Sequence, residues 1–249
     1  MSAYEALAAS YDALTYDIPY TDILEFWETL LRRYGLQPES VLDLACGTGS
    51  LSVLLAQKGY RVIGADLSQE MLTVASEKAM ELEENPPFFI CQPMQWLRLP
   101  YPVDSVICCL DSINYVTKPA DCRRTMQRVH DALTPGGLFL FDINTPCKLE
   151  GLDGQVFLDE TEDSYCVWRT EFDRKRRLCF YGIDLFQRQG DVWERSFEEH
   201  IEYAYTPEEL VQYLQEAGFR DIRLYGDRRL RKPKEDEQRI YIAAKKDNQ

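Results

Sequence analysis

Residues Val41 to Ser50 read VLDLACGTGS. A carboxylate, Asp43, interrupts a short apolar run, and two glycines, Gly47 and Gly49, follow at its tip. Residues without a Cβ let a ligand come close to the main chain. A second carboxylate, Asp66, closes the next apolar run, nineteen residues beyond Gly47. That spacing suits an acid that holds the two hydroxyls of an adenosine ribose. So far the residues fit a nucleoside and a dinucleotide equally.

Strands and helices must place these groups. Residues 4–34 read as helical, with a break near Pro19. Val41–Leu44 is a short buried strand, Leu51–Lys58 a helix ended by Gly59, and Arg61–Asp66 the next strand. Ser68 caps a helix running to Leu82. Phe88–Ile90 and Ser105–Leu110 are strands three and four. A helix over Ala120–Leu133 is closed by Thr134-Pro135-Gly136-Gly137, and Leu138–Ile143 is strand five. Such alternation implies a parallel sheet covered on both faces. After Thr145 the pattern changes to three long strands, Tyr165–Asp173, Leu178–Gln189 and Val192–Tyr205, joined by the turns Arg174–Arg177 and Gly190-Asp191. A helix over Pro207–Ala217 and strands Asp221–Tyr225 and Arg239–Ala244 complete the chain. The expected fold is α/β: a Rossmann-like doubly wound sheet, mostly parallel with an antiparallel last strand, plus an inserted antiparallel β meander. In an open sheet of this kind ligands bind beyond the carboxyl ends of the strands, where Gly47 and Gly49 lie.

The third glycine separates the two ligands. The dinucleotide fingerprint G-x-G-x-x-G needs glycine where this chain has Ser52. Asp43, just ahead of the loop, repels a pyrophosphate and favours an ammonium group. S-adenosylmethionine carries an amino group and a sulfonium charge and no phosphate. A nicotinamide-dependent oxidoreductase is therefore the weaker reading.

The segment VLDLACGTGSLSVLLAQKGYRVIGADLSQEML resembles the first two motifs of class I S-adenosylmethionine-dependent methyltransferases. VDSVICCLDSINYV is similar to that family's fourth-strand segment, LTPGGLFLFDINT to its fifth, and YTPEELVQYLQEAGFRDIRLYGD to its last helix and following strand. YEALAASYDALTYDIPY resembles the N-terminal cap of small bacterial members. The resemblance implies S-adenosylmethionine as cofactor and an enzyme that methylates a small-molecule acceptor through oxygen or nitrogen. The other reading is a non-catalytic, donor-binding regulatory module of the same fold. The resemblance also implies that Gly47 and Gly49 line the methionine end of the donor, with Asp43 near its amino group. Asp66 would hold the ribose hydroxyls and Leu67 would lie against the adenine. Tyr20, Ala45, Met71 and Leu110 complete the implied donor site. One departure stands out. Pro93 occupies the place where the family often carries an acid beside the adenine amino group, so the backbone of Met94 or the side chain of Gln95 takes that contact.

Methyl transfer is an in-line displacement in which the protein mainly orients and desolvates the acceptor. A general base is needed only if the acceptor loses a proton early, and the sequence displays no catalytic triad. The acceptor pocket is expected beyond strand four, at Asp111, Asn114 and Tyr115. The Asp/Asn-Pro-Pro-Tyr of base-modifying amino methyltransferases is missing there. In the last meander strand Trp193, Phe197, Ile201, Tyr203 and Tyr205 alternate onto one apolar face, expected to lie on the domain or cover the cleft. Glu194, Glu198, His200 and Glu202 take the other face. His200 is a candidate base, or a solvated strand histidine. Tyr4, Tyr11, Tyr16 and Tyr20 are candidates to close the site over the donor.

The 249 residues imply one domain spanning 1–249, with a helical cap over 1–36 and an inserted lid over 146–205. A formal net charge of −14 opposes a nucleic-acid partner; the runs Arg174–Arg177 and Arg228–Lys234 read as a solvated turn and loop. The eight cysteines show no C-x-x-C spacing, so neither a metal site nor a disulfide scaffold is expected. Met1–Ala13 does not resemble a signal peptide, and no run approaches the ~20 apolar residues of a membrane span. A cytoplasmic protein without a membrane partner is expected.

Overall fold

A computed structural model describes residue 8 and residues 11–248. Tyr4 and the rest of the cap's start lie outside the described residues. The cap continues as α1 (Tyr11–Leu14) and α2 (Tyr20–Tyr34), with Pro19 at the N-cap of α2. Proline tolerates that position because it lacks only a donor that the helix start leaves unused. α2 buries Ile23, Leu24, Phe26, Trp27, Leu30 and Leu31 along one face.

Next come β1 (Ser40–Leu44), α3 (Ser50–Gln57), β2 (Arg61–Asp66), α4 (Gln69–Ala79), β3 (Phe88–Cys91), β4 (Val103–Cys108), α5 (Pro119–Ala132) and β5 (Leu133–Asn144). They are followed by α6 (Pro146–Gly151), β6 (Val156–Glu160), β7 (Ser164–Asp173), β8 (Leu178–Gln189), β9 (Val192–Tyr203), α7 (Pro207–Glu216), β10 (Phe219–Gly226) and β11 (Arg239–Lys246). Seven strands form one sheet in the order β10-β11-β5-β4-β1-β2-β3. β1 to β5 pair in parallel, and β11 runs antiparallel to both β5 and β10. The chain reverses its direction of travel across the sheet between β1 and β4. That switch point opens a crevice at the strands' carboxyl ends. All five residues of β1 are buried. Leu42 and Leu44 pack into the cluster under α5 and α7, and Val41 into the cluster under α2 and α3.

Three expectations change. β5 begins at Leu133, so Thr134-Pro135-Gly136-Gly137 does not separate helix from strand. The pairing jumps from Val103↔Leu133 to Ser105↔Leu138, and the Pro-Gly-Gly stretch is absorbed as an irregularity within the strand. β4 stops at Cys108, because Leu110 turns into the left-handed region (φ 60°). The insertion holds four antiparallel strands, ordered β6-β7-β8-β9, where the sequence pattern implies three. Every residue of β6 is exposed, so it carries no in-out alternation by which to read it.

The face assignment in β9 is inverted as well. Glu198, His200 and Glu202 are buried, whereas Trp193 and Phe197 are 48% and 47% exposed. Tyr205 is buried, but it lies past the strand's end at Tyr203. Partners explain the inversion. The Glu198 carboxylate meets His200 Nε2 at 2.9 Å, and Glu202 accepts from Asn144 Nδ2 at 3.0 Å. Polar groups with partners can be buried at modest cost. Among the described residues, no helix is long and apolar enough to cross a membrane, and no cluster of three or more His, Cys, Asp or Glu could hold a metal.

Candidate active site

A cavity of about 380 Å³ opens at the switch point, within the ~300–1,000 Å³ range of small-ligand sites. Its floor is the end of β1. Ala45 (φ 59°) and Gly47 (φ 54°) both take left-handed backbone there, and Ala45 does so at the steric cost of a Cβ. A Cβ on Gly47 would meet no protein atom within 4 Å, so the bare backbone leaves room beside the cavity. Gly49 serves differently. It is not part of the lining, and a Cβ there would stand 2.8 Å from that of Ala75. Gly49 lets α3 and α4 approach each other.

Both carboxylates of the loop reach the cavity. Asp43 is 2% exposed, and Ser52 Oγ donates to it at 2.6 Å. Ser52, which breaks the dinucleotide fingerprint, thus anchors the acid that disfavours phosphate. Burial pushes the Asp43 carboxyl up to about 7, with the Ser52 hydrogen bond opposing. Asp66 accepts from the backbone N–H of Gly47 at 2.8 Å and of Ser68 at 2.9 Å. Burial raises its pKa too, and these backbone donors oppose that rise.

Tyr20, Ala45, Leu67, Met71, Met94, Gln95 and Leu110 also line the cavity. Leu67 is 63% exposed, an apolar side chain left open at the rim. Pro93 lies beside Met94 in the wall. A carboxylate does occur at this end. Asp121, from the first turn of α5, lines the cavity next to Lys118. Sequence reading missed it because it arrives from a helix rather than from the third strand.

The acceptor candidates divide. Tyr115 lines the cavity, as does Ser112, while Asp111 and Asn114 do not. Asp111 pairs with Arg239, which also pairs with the fully buried Asp142. Asp142 accepts from the backbone N–H of Leu110 at 2.7 Å and of Asp111 at 3.0 Å. It thereby holds two successive left-handed residues, φ 60° and 53°, at the tip of β4. A carboxylate inside the apolar run LFLFDIN is the same signal that Asp43 gives in VLDLA, and it could have been found that way. Asn114 is fully buried and donates to the carbonyls of Asn144 and Tyr203, both at 3.0 Å. It ties β5 to the end of β9.

His200 stands behind Tyr115. Their rings meet edge to face at 5.9 Å between centroids, and the imidazole is buried. No residue of β6 to β9 lines the cavity. α1 lies between instead: Tyr11 lines the cavity and packs with Leu14 against Cys166, Ile183 and Leu185 of the four-stranded sheet. Tyr16, by contrast, is 84% exposed. Burial pushes the Tyr11 phenol well above its ordinary range and that of Tyr20 up to about 12. Chemically, the described residues give the cavity three carboxylates, the buried Asp43 and the half-buried Asp66 and Asp121, together with tyrosine hydroxyls and a bare backbone, and Lys118 is the only basic residue among them. These groups fit a cationic nucleoside better than a phosphate-bearing one.

Residues 41–137 match a family model described as a methyltransferase domain. YqeM of Bacillus subtilis (strain 168), a protein assigned as a methyltransferase, is 31% identical over 98% of this chain and 97% of its own. A solved S-adenosylmethionine-dependent methyltransferase from Clostridium acetobutylicum ATCC 824 is 31% identical, covers 99% of this chain and 100% of its own, and superposes with a TM-score of 0.87. CalS10 of Micromonospora echinaspora, an amino pentose methyltransferase solved with S-adenosylmethionine bound, shares the fold at 19% identity (TM-score 0.72; 98% of this chain, 97% of that one).

Proposed function

The chain belongs to the class I S-adenosylmethionine-dependent methyltransferases, and from that premise we propose that it methylates an oxygen or nitrogen of a small-molecule acceptor. When bound, S-adenosylmethionine supplies an activated methyl group together with its leaving group. The chain's own residues bind, orient and exclude water. Asp43, fixed by Ser52, receives the donor's ammonium. Asp66 has lone pairs left after its two backbone bonds, and they receive the ribose hydroxyls. Leu67 and Met94 flank the adenine, with Gln95 and Asp121 in reach of its polar edge. Leu110, Ser112 and Tyr115 bound the acceptor side.

One observation carries this reading: Tyr11 and Tyr20 of the cap join the strand-end loops in lining one cavity of about 380 Å³, a size that suits a small ligand. Side chains of the cap at the cavity wall help to keep water from the transferring group. The net charge of −14 adds support, since it disfavours a polyanionic acceptor. The four-stranded sheet acts as a lid at one remove, by backing α1. His200, behind Tyr115, positions that ring and does not act as a base.

The test has two stages. Calorimetric titration with S-adenosylmethionine should give saturable binding, and no binding by folded protein at millimolar donor would sink the donor assignment. Incubation of a cell extract with methyl-labelled donor should then place label in the low-molecular-weight fraction. Label confined to protein or nucleic acid would overturn the small-molecule acceptor.

A further inference from the structure

A helix of four residues cannot hold itself together, since one turn does not repay the entropy of its nucleus. The position of α1 is therefore set by what its side chains grip. Asp12 grips the glycine loop. It accepts from Thr48 Oγ1 at 2.7 Å and from Ser50 Oγ at 3.4 Å. Its other oxygen pairs with the Lys78 ammonium of α4, which itself donates to Ser50 Oγ at 2.9 Å. Thr48 lies between the two glycines of the loop and is 1% exposed. Neighbouring Tyr11 lines the cavity, and Leu14 is seated on the inner face of the four-stranded sheet. One short segment thus joins the glycine loop, the cavity wall and the four-stranded sheet.

We propose that Asp12 is a positioning residue for methyl transfer: by tying α1 to Thr48, Ser50 and Lys78 it holds Tyr11 across the cavity and retains the donor. This rests on the proposal that the cavity is the donor site, and not on which acceptor is used. The latch is electrostatic and part-exposed, with 27% of the Lys78 side chain and 41% of the Asp12 side chain accessible. It therefore opens and closes without unfolding the domain behind it, and salt weakens it.

The experiment follows release of S-adenosylhomocysteine from the full chain by stopped-flow chase, in wild type, Asp12→Ala and Lys78→Met. Release should be roughly three- to tenfold faster in both variants. The wild-type rate should rise with ionic strength while that of Asp12→Ala stays flat, a response that a purely structural role would not give. Melting temperatures without ligand should move by less than about 2 °C. Unchanged release in Asp12→Ala, or equal salt response in both proteins, would overturn the latch. So would a drop of several degrees in the ligand-free melting temperature of Asp12→Ala. A wild type that binds no S-adenosylhomocysteine would instead refute the donor site itself.

Discussion

The two sheets of this molecule treat polar residues in opposite ways. In the central strands of the seven-stranded sheet burial mostly follows hydropathy, and the buried carboxylates, Asp43 and Asp142, stand near strand ends where they organise the loops of the cavity. In the four-stranded sheet hydropathy fails along β9. Its inner face buries Glu198, His200 and Glu202, and its outer face exposes Trp193 and Phe197. Even on that outer face Asp184 is 3% exposed, because Arg169 and Arg195 close over it. Burial in the first sheet follows the transfer of apolar surface from water. Burial along β9 follows the supply of hydrogen-bond partners: Asn144 for Glu202, with Lys148 Nζ donating to Asn144 Oδ1 at 2.8 Å, and His200 for Glu198. Burial pushes the Glu202 carboxyl well above the usual carboxylate range, with Asp111 adding to the rise, which favours its neutral form and lowers the cost of burying it. A strand's inward face is thus the face whose groups find partners, and in β9 this differs from the more hydrophobic one.

The largest effect should come from the donor loop. Asp66→Ala strands the N–H groups of Gly47 and Ser68 and removes the proposed acceptor for the ribose hydroxyls. Donor binding measured by calorimetry should weaken by roughly 3–6 kcal/mol, with Asp66→Glu milder. Binding within tenfold of wild type would remove Asp66 from the donor site.

Asp43 tests the buried acids of the first sheet by pH. Its folded pKa, about 7, lies above the unfolded value. The folded chain therefore holds the extra proton between about pH 4 and 7, and stability falls as pH rises through that window. Asp43→Asn should raise ligand-free stability above pH 7 by on the order of 2–4 kcal/mol in denaturant melts, and lose donor affinity. In wild type, donor affinity should fall as pH drops below about 7, because a protonated Asp43 no longer attracts the ammonium. A pH-independent affinity would break this assignment.

His200→Ala probes the inverted face. It strips Glu198 of its imidazole partner and leaves a hole beside Tyr115 and Trp168. Stability should fall by roughly 2–3 kcal/mol. A loss below about 0.5 kcal/mol would mean that β9 does not pack as described. The smallest effect should be Trp193→Ser with Phe197→Ser on the outer face, within about 0.5 kcal/mol by thermal melting. A loss of several kcal/mol from that double variant would show that this face is covered in solution.

The sequence alone specified the alternating strands and helices and the crevice at the tip of β1. The α/β sheet with an antiparallel last strand is present, because buried parallel strands are apolar throughout and end in recognisable turns. Most of the expected lining was legible for the same reason: Asp43, Gly47 and Asp66 are local to strand ends, where spacing along the chain is spacing in space. The tertiary structure decided everything that depends on neighbours distant in sequence. Ser52 looks like a missing glycine until Asp43 is seen 2.6 Å away. Asn114 looks like a pocket residue until the carbonyls of Asn144 and Tyr203 claim its amide. Asp12 looks like surface until the glycine loop meets it, and β9 looks apolar-side-in until partners from β5 and from β9 itself satisfy its acids. A periodic pattern records how much water a side chain avoids. Only the folded chain supplies the hydrogen-bond partners that let a polar one do without water.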